Sequence, residues 1–328
     1  MSRDRVVEVA PAEVCGHPAA EAWQRLATDG AHQPRRMFVL KPEKKRSAVY
    51  RLEGAGPGGS SVVGKRGRTE RLATELLIYY EVLPRVPART LRCYGSIDDD
   101  QPGFGWLFLE DAGEERFSSS NPEHRAAAAH WLALLHTSVP SRPAWYVHLP
   151  ARSVGYYRAI LTQARDVLLQ GLANPALSRT DAATLEAIRM ACDRVEARWR
   201  AVEKLCQTLP HTLVHGDFGA KNLRVRRRHA GIELLALDWD SAGWGVAATD
   251  LSQAEAGVYS SVASTRWPDL DQAVVASLAT VGRMFLALES ITGERDPLSS
   301  GWTENAMRKM RAYQADLDSA LQVAGWAA

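Results

Sequence analysis

The sequence predicts an α+β chain of two lobes, a small antiparallel-sheet lobe leading into a larger, mainly helical one. Three observations carry that expectation: short β-type runs from Arg36 onward separated by Lys/Arg-rich or Gly-rich turns, a single amphipathic helix set among them, and helical periodicity over most of the chain after Gly113. With 328 residues and 46% apolar side chains, there is material to bury a sizeable core.

Taken in order, the first three dozen residues are mixed in character, with a short helix expected around Ala20 to Ala27 and no chemistry assigned. Strands are expected over Met37–Leu40, Ala48–Leu52 and Ser61–Lys65. Leu72, Leu76, Tyr79 and Leu83 recur at helical spacing, which predicts a helix over Thr69–Leu83 that stops at Pro84. Two more strands, Leu91–Ile97 and Phe104–Leu109, complete a helix-on-sheet lobe, and Glu110-Asp111-Ala112-Gly113 reads as the linker. The expected division is therefore residues 1–110 and 111–328. Beyond it, helices are expected from Asn121-Pro122 to about Ser138, over Val154–Leu172 and over Asp181–Cys206. A β-rich island follows between Thr212 and Asp238, and helices return near Thr249–Val258, Leu270–Thr292 and Thr303–Val323. No internal repeat interrupts this order, and a cleft is expected between the lobes.

Charge excludes some partners. Forty basic residues stand against 38 acidic ones, a formal net charge of +2, which gives no electrostatic reason to expect nucleic-acid or membrane binding. The run Arg224, Arg226, Arg227, Arg228, His229 falls where two strands should turn and reads as a solvated hairpin. Cys15, Cys93, Cys192 and Cys206 are scattered without a C-x-x-C pair, so a reducing cytoplasm fits better than a stapled or zinc-bound fold. The first residues lack the apolar core of a signal peptide, and the most apolar stretch, Ala273–Ile291, is interrupted by Arg283 and Glu289.

Chemistry concentrates in Leu213-Val214-His215-Gly216-Asp217-Phe218-Gly219-Ala220-Lys221-Asn222 and in Leu234-Leu235-Ala236-Leu237-Asp238-Trp239-Asp240. In each segment an apolar strand delivers a carboxylate to its C-terminal end, and Asn222 lies five residues beyond Asp217. The intervening hairpin is expected to bring Asp217, Asn222 and Asp238 together. A base or orienting carboxylate, with a second carboxylate and an amide oxygen for a divalent ion, is the set that phosphoryl transfer needs. In the sheet lobe, Val62-Val63-Gly64-Lys65 offers a lysine on the third strand. Glu75, three residues after Leu72 and four before Tyr79, shares the inward stripe of the helix, so an ion pair with Lys65 is the physical expectation.

H-G-D-x-x-x-x-N followed by an apolar strand and D-W-D resembles the signature of aminoglycoside phosphotransferases and choline kinase-like enzymes, within a protein kinase-like fold; the resemblance runs from about Phe38 to Leu251. It implies transfer of the γ-phosphoryl group of ATP or GTP, with Mg2+, to a hydroxyl of a small molecule. Asp217 would be the catalytic base, and Asn222 and Asp238 the magnesium ligands. Lys65 with Glu75 would hold the phosphates, Ser47 in the turn Glu43–Ala48 would touch them, and the main chain of the hinge around Glu110 and Ala112 would meet the adenine edge. Leu135-His136 and Asp250 match positions that brace the catalytic loop, and His215 is read as part of the same scaffold.

Other readings were open. Gly54-Ala55-Gly56-Pro57-Gly58-Gly59 satisfies G-x-G-x-x-G, but only five residues separate Gly59 from Lys65 and no helix follows, so a hairpin turn is expected. Asp240 is an optional magnesium ligand. His211, His215 and Asp217 could build a hydrolytic metal site, but only on a helix, which the local pattern does not predict. From Asp250 onward ten acids face six bases, a weak pull toward a cationic acceptor such as an aminoglycoside. Trp239, Trp244, Trp267 and Trp302 would suit a choline-like ammonium, and a sugar acceptor or a non-catalytic binding module stand as further alternatives.

Overall fold

A computed structural model describes residues 6–26, 32–44, 47–139, 143–229, 231–300 and 303–327. Trp302, Lys45 and Arg46, which entered the sequence reading, lie outside them. The chain divides into two compact units, Met1–Phe117 with Ala220–Ser241, and Ser118–Gly219 with Ala242–Ala328.

The first unit is built on a six-stranded sheet in the order β1-β2-β3-β4-β6-β5. Its strands are β1 (Val7–Glu8), β2 (Arg36–Lys44), β3 (Ser47–Glu53), β4 (Val62–Arg68), β5 (Cys93–Asp98) and β6 (Phe104–Glu110), all antiparallel to their neighbours. Alternation decides the faces: β3 buries Ala48, Tyr50 and Leu52 and leaves the residues between them half-exposed. The N-terminal segment forms α1 (Pro11–Val14) and α2 (Pro18–Leu26), whose Trp23 enters the core against Tyr94 and Phe108 and donates its indole N–H to the Ala55 carbonyl at 3.1 Å. Gly54–Gly59 is a turn between β3 and β4, with positive φ at Gly54, Gly58 and Gly59.

From β4 the chain enters α3 (Thr69–Leu77), which widens into a π-helical turn over Ile78–Val82 before a 3₁₀ turn at Leu83–Arg85. The hairpin β9 (Leu223–Arg228) and β10 (Gly231–Ala236) also belongs to this unit.

The second unit holds α4 (Pro122–Ser138), α5 (Val154–Leu172), α6 (Arg179–Ala197), α7 (Trp199–Cys206), α8 (Ala256–Ala263), α9 (Gln272–Thr292), α10 (Arg295–Ser299) and α11 (Glu304–Val323). Their starts are written in the sequence: Asn121 caps α4 ahead of a proline, Ser178 and Asp181 form a capping box on α6, and Glu255 and Asp271 cap α8 and α9. α9 is long and apolar enough to cross a membrane, but that character serves burial here: Val275, Leu278, Met284, Phe285, Leu288 and Ile291 are in the core, with Phe285 stacked on Tyr157 at 4.1 Å. A small sheet, β7 (Ala151–Arg152), β11 (Gly243–Gly245) and β8 (Thr212–Val214), completes the unit.

Two expectations on elements change. The helix expected over Asp181–Cys206 is two, because Arg198 leaves helical geometry (φ −101°, ψ 7°). The helix expected over Thr249–Val258 is instead a 3₁₀ segment, Ala247–Gln253, followed by α8, since Glu255 spends its carboxylate on the amides of Gly257 and Val258 and so starts a new helix there.

Candidate active site

In the first unit, β4 carries Lys65 inward and α3 carries Glu75 to the same point. Lys65 Nζ donates to Glu75 Oε1 at 2.5 Å and also to Asp238 Oδ1. Glu75 is fully buried, and the Lys65 side chain is 14% exposed. Burial alone would push the Lys65 ammonium down, but the two carboxylates overrule it and its pKa lies above the ordinary value. Burial likewise dominates at Glu75, and despite Lys65 its pKa is pushed up to about 7, with Asp238 adding to the rise.

Asp238 stands in the left-handed region with φ 63°, the non-glycine residue with positive φ among those described. Asp tolerates this conformation better than most residues, and such outliers persist where their surroundings over-determine them. Here the surroundings are the Lys65 ammonium and the end of a hairpin. Leu223 pairs with Ala236 as the last rung of β9–β10, and just beyond it the Leu237 amide donates to the Asn222 carbonyl at 2.9 Å. Asn222 and Asp238 thus flank the open end of one hairpin.

A carboxylate and an amide oxygen suit magnesium, which accepts one or two protein oxygens and takes the rest from phosphates and water. Among the described residues, no cluster of three or more His, Cys, Asp or Glu would cage a metal by itself. Asp238 and Asn222 supply that carboxylate and that amide from the mouth of one hairpin.

In the second unit, β8 delivers the chain into His215-Gly216-Asp217. The buried Asp250 carboxylate accepts from the amides of His215 (2.7 Å) and Gly216 (3.0 Å) and lies 3.4 Å from His136 Nε2, while His136 Nδ1 pairs with the Tyr259 hydroxyl at 2.9 Å. Gly216 has φ 77°, a conformation that favours glycine, so the turn that presents Asp217 depends on it. His215 is fully buried; its Nδ1 accepts from the Asp217 amide at 3.4 Å and its ring meets Phe218 edge-on. It orders the loop, and the exposed His211 before β8 does not share its surroundings. Asp217 itself is half-buried.

The remaining sequence-derived residues are placed as follows. Ser47 opens β3, opposite Gly67 of β4. The Glu110 carboxylate is held by Arg89 at 2.8 Å, by Arg226 at 2.5 Å and by the Arg92 amide at 3.1 Å. The carbonyls of Asp111 and Ala112 accept from the same Arg226. Arg226 is therefore not the solvated residue expected from its run; it ties the hairpin to the end of β6, while Arg227 and Arg228 pair with Glu115 and Glu233. Asp240 pairs with Arg71 at 2.9 Å. Trp239 is in the core of the first unit, whereas Trp244, in the second, packs with Trp145 and Tyr146.

Residues 42–289 match the profile of the phosphotransferase enzyme family. The chain belongs to that family. This phosphotransferase, a small-molecule kinase by membership, also shares the fold of solved relatives. APH(2")-IIIa in its GDP and kanamycin complex is 13% identical, with 90% of this chain and 98% of the other covered at a TM-score of 0.61. Spectinomycin phosphotransferase with ADP and spectinomycin is 13% identical, covering 89% and 93% at 0.56. Ethanolamine kinase of Plasmodium vivax is 14% identical, covering 90% and 84% at 0.54. No curated protein matches the chain.

One group of the phosphotransferase was missed in the sequence. Glu289 of α9 binds Arg152 of β7 and accepts from the Tyr156 hydroxyl of α5 at 2.7 Å, and the Arg152 guanidinium also donates to that hydroxyl at 2.7 Å. Burial raises the Glu289 pKa, the Arg152 charge opposes the rise, and Asp217 is among the charges that add to it. The signal was present: an acid interrupting an apolar helix must find a partner.

Proposed function

We propose that this phosphotransferase moves the γ-phosphoryl group of ATP or GTP to a hydroxyl of a small, amine-bearing alcohol, with an aminoglycoside-like acceptor favoured and an ethanolamine-like amino alcohol second. The observation that carries the nucleotide half is Lys65 held between Glu75 and Asp238, with Asn222 beside Asp238 across the mouth of one hairpin. In this reading Lys65 binds the α and β phosphates and Glu75 fixes its direction. Asn222 and Asp238 hold magnesium, which when bound neutralises phosphate charge. Ser47 lies at the phosphate turn, and the main chain from Glu110 to Ala112 meets the base. Asp217 accepts the proton of the acceptor hydroxyl as the new oxygen–phosphorus bond forms and the bond to the β-phosphate oxygen breaks, releasing ADP or GDP.

The acceptor class is supported by what the relatives' names share. Kanamycin, spectinomycin and ethanolamine each carry a hydroxyl and an amine. Bulk acidity of the C-terminal region adds little, because Asp250, Glu255, Asp271, Glu289, Glu294 and Asp318 are already spent on loop amides, helix caps or basic partners. The free cysteines suit a reducing compartment, and the cytoplasm is the proposed location.

The test is a panel of aminoglycosides, other antibiotics, amino alcohols and sugars assayed for acceptor-dependent ADP or GDP release. A positive acceptor should lose turnover by roughly 10²–10⁴-fold in Asp217→Asn while magnesium-nucleotide binding persists. Full activity of that variant would remove Asp217 from the base role, and a protein that binds neither ATP nor GTP would end the reading altogether.

A further inference from the structure

Within the first unit, the six-stranded sheet and the β9–β10 hairpin are tied to each other at two points. At one, Lys65 of β4 meets Asp238, with Asn222 across the hairpin mouth. At the other, Arg226 of β9 meets Glu110 and the carbonyls of Asp111 and Ala112 at the end of β6. On the sheet, the stretch between the two ties is the rung Arg51–Val63–Leu109, whose residues share a face with Lys65. On the hairpin it is Arg224, which like Arg226 points away from the buried Leu223 and Val225 and stands about 7 Å along the strand from Arg226.

Arg224 is half-buried, yet it has no carboxylate partner among the described residues. Its Nη1 donates to the carbonyls of Lys221 at 3.1 Å and Leu223 at 2.9 Å, on either side of Asn222. Nε and Nη2 make no hydrogen bond among the described residues, and both stay open to solvent. The surroundings oppose its charge: burial does so, and so do Arg116, its bridge partner, and Arg51, while Asp111 favours it. Asp111 is shared with Arg51 at 2.8 Å, which also takes Glu114 at 2.6 Å. The exposed Arg116 has no carboxylate partner among the described residues either. Two adjacent arginines are thus left without an anion, one of them partly desolvated, which costs free energy until an anion answers them.

A nucleotide whose outer phosphates meet Lys65, Asn222 and Asp238, and whose base meets the main chain of Glu110–Ala112, lays its ribose between the two ties. We propose, on the strength of that nucleotide reading, that Arg224, with Arg116 beside it, binds a phosphate carried on the ribose, at its 5′ or its 3′ position. The open Nε and Nη2 form the edge of the guanidinium that grips a phosphate through two parallel hydrogen bonds. Such a contact involves neither Asn222 nor Asp238 and so does not depend on magnesium.

The experiment uses the full chain without magnesium and measures binding by calorimetry or ligand-observed NMR. The probes are adenosine and guanosine, each beside its 5′-monophosphate and its 3′-monophosphate. One monophosphate should bind at least about tenfold tighter than its nucleoside, and the advantage should shrink as salt is raised. The position that gains tells which phosphate the site takes. Arg224→Ala should cut the advantage to within about twofold while nucleoside affinity holds, and Arg224→Lys should restore part of it. Arg116→Ala, at an exposed side chain, should lower the advantage by about twofold to fivefold and leave the melting temperature unchanged, which keeps the test decisive if Arg224→Ala folds poorly. An advantage that survives in both alanine variants would overturn the site. So would a nucleoside affinity that falls as far as that of the monophosphate, since Arg224 would then only shape the strand. A chain that binds magnesium-ATP or magnesium-GTP yet shows no monophosphate advantage would overturn this inference alone, whereas one that binds no nucleotide at all would take the proposed function with it.

Discussion

Lys65 keeps its charge in a place where burial alone would strip it, and the cost appears at its partner. Glu75 is completely buried with a pKa raised to about 7, so its protonated form is favoured by the fold. The stability this contributes is fully present below the ordinary carboxylate pKa and is lost as pH climbs through about 7. Without nucleotide, unfolding free energy should therefore fall by an amount on the order of 3 kcal/mol between pH 4.5 and 8 through this group, and Glu75→Gln should flatten that slope. Denaturant unfolding at several pH values decides it; an unchanged slope in the variant would remove Glu75 from the account. Glu75 was legible because it sits in the helical stripe of Leu72 and Tyr79, and an acid on such a stripe must pair. The left-handed backbone of Asp238 was not, since pattern places a residue at a strand's end but says nothing of its φ. Glu289 was visible as an interruption of an apolar run, yet its partner Arg152 is 137 residues away and no local period points to it.

Among elements, the 3₁₀ segment Ala247–Gln253 bears directly on the turn that presents Asp217, because it holds the Asp250 carboxylate against the amides of His215 and Gly216. α9 passes so close to it that a Cβ at Gly282 would lie 1.8 Å from the Ala248 carbonyl oxygen. Gly282→Ala should thus cost about 2–3 kcal/mol by forcing the two apart, with activity falling further than stability alone explains. Thermal unfolding together with turnover at a temperature where the variant is folded measures both effects. Asp250→Ala, which strands two buried amides, should destabilise by about 3 kcal/mol or more. The long elements were legible from caps and periods: α4, α5, α9 and α11 begin and end close to where sequence puts them. β7 and β11 were not, because two- and three-residue strands hold no period, and the break at Arg198 lies in a stretch whose apolar pattern continues on both sides.

At the scale of the molecule, the chain's two units share the H-G-D-x-x-x-x-N motif between them. Asp217 ends in the unit Ser118–Gly219, whereas Asn222, Asp238, Lys65 and Glu75 all belong to the other. That partition followed from neither composition nor motif; the sequence suggested one boundary after residue 110, while compactness is set by where the β9–β10 hairpin packs, through Arg226 and Glu110 among others. It makes a separable expectation. Ligands that bind only the folded state stabilise it by an amount set by their concentration relative to Kd, about 2.7 kcal/mol at a hundredfold excess. Magnesium-ATP or magnesium-GTP at that excess should raise the melting temperature of the wild type and of Asp217→Asn alike. Lys65→Ala and Asp238→Ala should lose most of that rise at the same concentration, because each removes a charged group from the proposed nucleotide site. Glu289→Gln, on the Asp217 side, should keep the rise and instead change the acceptor KM. A melting shift that collapses in Asp217→Asn yet survives in Lys65→Ala and Asp238→Ala would mean that nucleotide recognition does not reside in the sheet unit, and the division of labour would have to be reversed.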